Sequence, residues 1–182
     1  MNEKNSRTEK QKGKVRKIFR GVVDFLKREE KIIIDKEQIE LILPHRGRML
    51  LLDRVVITTQ KIMGEFTVTH EVCDGHAVLE EKLVLKGSDL FDIAAQLLGV
   101  WAAQHSDAEF KNRKTVIREY GGAKFRNPIF PGELLVMEID PENASAQVLV
   151  GRDIIITKGE KFSARVGKER KAEISFVELI IY

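Results

Sequence analysis

Asp92, a carboxyl in an apolar helix, and the Gly75-His76 pair upstream of it raise the question of proton-transfer chemistry. Histidine titrates near neutrality and serves well as a base at pH 7. Asp92 stands inside the run LFDIAAQLLGVW, which is apolar on nearly every side of a helix. A helix of that composition is buried. A buried carboxylate is costly unless it is paired, hydrogen-bonded or protonated. Desolvation raises a carboxyl pKa, so such a group can hold a proton at pH 7 and release it as an acid. Gln96, four residues on, is placed to hydrogen-bond that carboxyl. The start of the same helix offers free N–H groups and a favourable dipole for developing negative charge. On residue type alone, plainer readings stay open: His76 as a structural or solvated histidine, Asp92 as an acid paired with a buried arginine. Asp89, in the first turn, reads as compensating the helix dipole.

Such groups need a frame to hold them. The pattern predicts one long helix from about Ser88 to His105. Ahead of it, Asp35-Lys-Glu-Gln38 has the form of a capping box opening a short helix, KEQIELIL, that Pro44 ends. His45 and Arg46 then stabilise the opening turn. The segments MLLLDRVVI, KIMGEFTVTHEV, TVIREYGGAKF, LLVMEID, AQVLVGRDIIIT, EKFSARV and KAEISFVELIIY read as strands. PGE, PEN, TKGE and VGKE read as the turns between the later ones. A helix apolar all round needs cover all round, and a strongly curved antiparallel sheet wrapped around it supplies that. The fold class is therefore α+β, with the outline of a hot-dog fold. Such a sheet leaves edges that a second copy can cover.

At 182 residues, 43% hydrophobic and 32% charged, the chain has the size and composition of one soluble domain. It holds no apolar run of the roughly 18 residues that a membrane span needs, and no secretory h-region. Cys73 is its only cysteine, so an intrachain disulfide is excluded, and a reducing, cytoplasmic setting is the plain reading. His45, His70, His76 and His105 lie too far apart for zinc-ligand spacing, so no metal is expected. Cys73 reads as a small buried residue. The net charge of +3 is uneven: residues 1–31 carry eleven Lys and Arg against five Asp and Glu, which leaves the remainder acidic. This extension is polar over 1–14. Val15, Ile18, Phe19, Val22, Val23 and Leu26 then recur at helical spacing among basic residues. The basic amphipathic helix they predict packs on the body or on a partner subunit, with membrane-surface contact by residues 14–28 as the other reading. One helix is not a helix-turn-helix, so no nucleic-acid partner is expected. Residues 32–182 form the folded domain.

Three segments together resemble the 3-hydroxyacyl-[acyl-carrier-protein] dehydratases, a hot-dog family of fatty-acid synthesis. Ile42-Leu-Pro-His-Arg46 with Met49-Leu-Leu-Leu-Asp-Arg-Val55 is similar to the family's opening motif. Gly75-His76, Gly87 and Asp92-Ile-Ala-Ala-Gln96 are similar to its active-site segment. Ala123-Lys-Phe-Arg-Asn-Pro-Ile-Phe-Pro-Gly-Glu133 is similar to the strand and turn that line its acyl tunnel. The resemblance covers about residues 32–140 and leaves 1–31 without a counterpart.

The resemblance implies removal of water from 3-hydroxyacyl thioesters, carried by acyl carrier protein or CoA, to give trans-2-enoyl thioesters, with no cofactor. It implies that His76 is the catalytic histidine and Asp92 the catalytic acid, supplied by opposite subunits of a homodimer or larger assembly. The branch of the family that also isomerises the double bond carries Asp at this place. Gly87 matches the glycine whose N–H holds the thioester carbonyl, and Gln96 a residue that steadies the acid. Phe125, Ile129 and Phe130 would line the acyl tunnel, and Lys124 and Arg126 are either solvated or face the acidic carrier protein. Removing water from such a thioester needs a base for the C2 proton and an acid for the departing hydroxide, which are the parts assigned to His76 and Asp92. The chain departs from the family at Ala77, where Phe is usual, and at Lys86, where Pro is usual. The connection Val78–Lys86 has no proline, and the gap from His76 to Asp92 is longer than the family's. With both polar groups kept, the expectation is an active enzyme of altered specificity. The alternatives are a non-catalytic acyl-thioester binding module and a hot-dog thioesterase, since one fold hosts several chemistries.

Overall fold

The structure is a computed structural model and describes residues 31–105, 113–149 and 154–182. The basic helix expected within residues 1–31 lies outside the described residues. Strand β1 (Ile32–Asp35) runs directly into helix α1 (Lys36–Ile42). The capping box is present: the Asp35 carboxylate accepts from the Gln38 N–H at 2.9 Å, and the Asp35 N–H donates to the Gln38 side chain at 3.0 Å. After Pro44 the chain makes a 3₁₀ turn over Gly47–Met49, and strand β2 spans only Arg54–Ile57. The predicted strand MLLLDRVVI is thus half turn and half strand.

Strand β3 (Ile62–Thr67) follows. The expected continuation through His70 and Glu71 is instead a short helix, α2 (His70–Cys73), because the Thr69 hydroxyl caps it by accepting from the Val72 N–H. A two-stranded hairpin, β4 (Val78–Leu79) and β5 (Lys82–Leu83), leads to helix α3 (Asp89–Gln104), close to its predicted bounds. Strand β6 (Thr115–Phe125) matches its predicted segment residue for residue. Strands β7 (Leu134–Ile139), β8 (Ala144–Leu149), β9 (Ile154–Val166) and β10 (Glu169–Ile181) complete the chain.

Two predicted boundaries differ. AQVLVGRDIIIT is not one strand: the chain reverses within it, so that Leu149 pairs with Ile154. TKGE is not a turn but lies inside β9, where Gly159 pairs with Val177 of β10 and with Ala144 of β8.

The main sheet is antiparallel throughout, in the order β1-β2-β3-β7-β9-β10-β6, with β8 also paired to β9. Helix α3 packs on it and buries Leu90 and every residue from Ile93 to Ala102. Its neighbours include β2, β3, β6, β7, β8, β9 and β10, the all-round cover that its composition demands. This is the hot-dog arrangement. Helix α1 closes one side: a Cβ on Gly99 would come within 3.1 Å of the Leu43 side chain, so glycine lets the two elements approach. Among the described residues, no helix is long and apolar enough to cross a membrane.

Candidate active site

Asp92 lies in the first turn of α3 and is partly buried. Burial is the main cause that pushes its carboxyl pKa above the ordinary aspartate range, and the charge of His45 draws it back. The side chain faces a cavity of about 210 Å³ lined also by His45, Met49, Lys86, Asp89 and Gln96. On its other side a small cavity of about 40 Å³ is lined by His45, Asp92, Thr115, Ile117 and Leu179. His45 and Asp92 thus line both cavities together. The His45 pKa is lowered, first by burial, with Asp92 opposing that shift.

Gln96 is buried, one turn after Asp92. Its amide does not follow the simple i, i+4 expectation. The Leu51 N–H donates to Oε1 at 2.9 Å, and Nε2 donates to the Met49 carbonyl at 2.7 Å. Gln96 thus ties the 49–51 segment to the helix that carries Asp92. The sequence assigns His45 only a turn-stabilising part, and its backbone does play one: the Arg46 guanidinium donates to the carbonyls of Leu43 and His45, each at 2.6 Å. No spacing signal links His45 to Asp92, because only the tertiary fold brings them together.

His76 is exposed, at the base of the β4–β5 hairpin. One ring nitrogen, Nδ1, meets the Val84 carbonyl at 3.1 Å. The Val84 N–H in turn donates to the Ala77 carbonyl, and Val78 and Leu79 pair with Leu83 and Lys82. The proline-free connection thus accommodates its extra length as a hairpin that closes beside His76. Its turn residues Glu80 and Glu81 both have left-handed backbones, with φ of 49° and 62°. Within one chain, the carboxyl that senses His76 is that of Asp89. Burial raises the Asp89 pKa, while Lys86 and His76 lower it and Asp92 raises it. The cavity at Asp92 is lined by Asp89 and Asp74, and His76 stands outside it.

Gly87 precedes α3. The N–H groups of Asp89, Leu90 and Phe91 are taken by the carbonyls of Lys86, Gly87 and Ser88. That leaves the amides of Gly87 and Ser88 to meet an incoming oxygen at the positive end of the helix. The Phe125 ring lies over Gly87 so closely that a Cβ there would sit 2.9 Å from it. Gly87, Leu90, Phe125 and Ile129 line a cavity of about 420 Å³. Phe130, expected beside them, instead lies beneath the Lys82 ammonium, 5.6 Å from the ring centre. Arg126 pairs with Glu173 at 3.0 Å, and Lys124 is exposed. Cys73 is buried, and burial raises its pKa. Among the described residues, no cluster of three His, Cys, Asp or Glu is placed to hold a metal.

Comparison with known proteins agrees with this layout. The family model described as FabA-like domain matches residues 43–163, which span both histidines, α3 and most of the sheet. The 3-hydroxyacyl-[acyl-carrier-protein] dehydratase FabZ of Clostridium acetobutylicum is 33% identical over 129 residues, covering 69% of this chain and 89% of that protein. Its namesake in Enterococcus faecalis is 31% identical, covering 77% and 94%. Among solved structures, a chain of the dehydratase heterocomplex ApeI:P from Xenorhabdus doucetiae superposes with a TM-score of 0.50 at 17% identity. It covers 79% of this chain and 89% of that one, and is a likeness of fold alone. A helix-in-sheet fold that carries the three motifs in order, matched by that model and by these relatives, makes this chain a member of the FabA-like family.

Proposed function

We propose that the protein removes water from 3-hydroxyacyl thioesters, carried by acyl carrier protein or CoA, in fatty-acid synthesis. The observation that carries this reading is Asp92: a carboxyl held toward its protonated form by burial, in the first turn of a helix whose free amides begin at Gly87. Family membership supplies the substrate class, since the relatives bear the name of that dehydratase.

In the mechanism, neutral His76 takes the C2 proton. Negative charge develops on the thioester oxygen, where the Gly87 amide and the helix N-terminus stabilise it. The C3–O bond then breaks and Asp92 gives its proton to the departing hydroxide. Water and a trans-2-enoyl thioester result, and proton return between solvent and the two side chains restores the site. The acyl chain takes the cavity beside Phe125 and Ile129.

His76 and Asp92 act from opposite subunits in this reading. Two features support it. Within a single chain His76 faces Asp89, and Asp92 faces His45. Strand β6 is a sheet edge that exposes Val116, Tyr120 and Phe125, as an edge awaiting a second copy would.

The test is to mix the full chain with a 3-hydroxyacyl thioester and follow the ultraviolet absorbance of the conjugated enoyl product. His76→Ala should abolish the rise. No rise with any chain length, on either carrier, would favour a binding module. Release of free thiol would favour a thioesterase.

A further inference from the structure

We infer that His45 is a positioning residue for Asp92: its imidazole, presented by the loop that Gln96 clamps, holds the carboxyl and its proton between the two cavities. This inference rests on the dehydratase reading for its catalytic consequence, but not for the pairing itself.

The placement is built in three steps. Helix α1 ends at Ile42, and Pro44 turns the chain away. Arg46 then fixes the backbone on either side of Pro44 by donating to the Leu43 and His45 carbonyls. Gln96 anchors the far end of the same loop at Met49 and Leu51, one turn along α3 from Asp92. The loop is therefore registered against the helix at the place where the carboxyl projects, and His45 and Asp92 line both cavities together.

The imidazole has an unmet need that the carboxyl can answer. His45 Nδ1 is buried and makes no hydrogen bond among the described residues. A buried ring nitrogen left without a partner is costly. The Asp92 carboxyl, which lines both cavities with His45 and acts on it electrostatically, is the acceptor that can answer that need. Burial favours the neutral form of each, and each group's charge opposes that shift in the other. The other charged groups are Arg46 beside His45, and Arg48, Glu71, Asp74, Lys86 and Asp89 around the larger cavity. On the opposite side β6 and β10 present Thr115, Ile117 and Leu179, which carry no charge. His45 is thus the charge that lowers the Asp92 pKa, and its loss should let Asp92 hold its proton to higher pH.

The experiment uses the full chain with His45→Leu and His45→Gln, ¹³C NMR titration of the Asp92 carboxyl, and steady-state kinetics. In His45→Leu the Asp92 midpoint should rise by about half a pH unit or more. Turnover should fall roughly tenfold to a hundredfold with KM changed less than about twofold, and the alkaline limb of the pH profile should move upward. His45→Gln, which keeps a hydrogen-bonding group, should recover part of the turnover. An unchanged Asp92 midpoint in folded His45→Leu would overturn the inference, whatever happens to turnover. If His45→Leu does not fold, Asp92→Asn gives the reciprocal test: the His45 midpoint should fall, and its constancy would overturn the pairing. A wild-type protein that turns over no substrate would remove the dehydratase reading, while the NMR midpoints would still decide whether the two side chains are paired.

Discussion

Gln96 is the polar residue on which the site's geometry depends most, and Gln96→Leu measures that dependence. The substitution keeps the size of the side chain and removes both amide contacts, at 2.9 Å to the Leu51 N–H and 2.7 Å to the Met49 carbonyl. Leu50, Leu51 and Leu52 are buried, so the freed Leu51 N–H has no ready access to water. Leaving a buried donor or acceptor unmet costs about 1–3 kcal/mol per group. The Met49 carbonyl lies nearer the surface and falls at the low end. Greater apolar burial by leucine offsets about 1 kcal/mol. The net loss is about 1–3 kcal/mol, which for a domain of this size lowers Tm by roughly 2–12 °C. Thermal unfolding by circular dichroism reads it. Turnover should fall further than stability explains, because the loop that presents His45 loses its anchor, and that part of the loss should persist well below Tm. A Tm within about 2 °C of wild type would refute the clamp.

Two further perturbations probe the acid and the hairpin. For Asp92 the folded pKa is raised, so its contribution to stability is present below the unfolded value and lost as pH rises through the folded one. Asp92→Asn should therefore abolish turnover yet gain Tm relative to wild type at pH 8, with the gain shrinking toward pH 4; an equal gain at both pH values would count against burial as the cause. Glu80→Asn with Glu81→Gly replaces two residues held at positive φ by the pair that favours this turn. At about 1 kcal/mol per relieved residue, about 2 kcal/mol for the pair, hydrogen exchange at the Val84 amide should slow by roughly 30-fold with turnover unchanged, and unaltered exchange would mean that the turn is not strained.

Much of the frame was legible from local signals. The capping box at Asp35 and Gln38, the bounds of α3 and strand β6 all follow from side-chain type and spacing. The segments that differ have two kinds of cause, strand pairing distant in sequence and a local cap. TKGE has turn composition, yet Gly159 lies under the Phe162 ring and between paired strands, where its lack of a side chain serves close packing. The strand expected through His70 failed because one hydroxyl, on Thr69, outweighed the alternation. In the site, Asp92 and Gln96 stood out because they are polar groups in an apolar helix. The partners of both were hidden, since His45, Met49 and Leu51 reach them only through the fold.

The same environments favour Asp92 over Asp89 as the proposed acid, although both carboxyls line one cavity and burial raises both pKa values. Asp89 has Lys86 and His76 within its field, and both favour its charged form. A cationic His76, as formed once the base has taken the substrate proton, would pull Asp89 further toward carboxylate. Asp92 has only His45 drawing its pKa down, and burial drives His45 itself toward neutrality. Because burial favours neutral His45, the influence that lowers the Asp92 pKa is itself weakened, while the burial that raises it stays. In the proposed reading Asp92 is thus insulated from His76 of its own chain, and a base supplied by a second copy would meet a carboxyl whose protonated form burial favours.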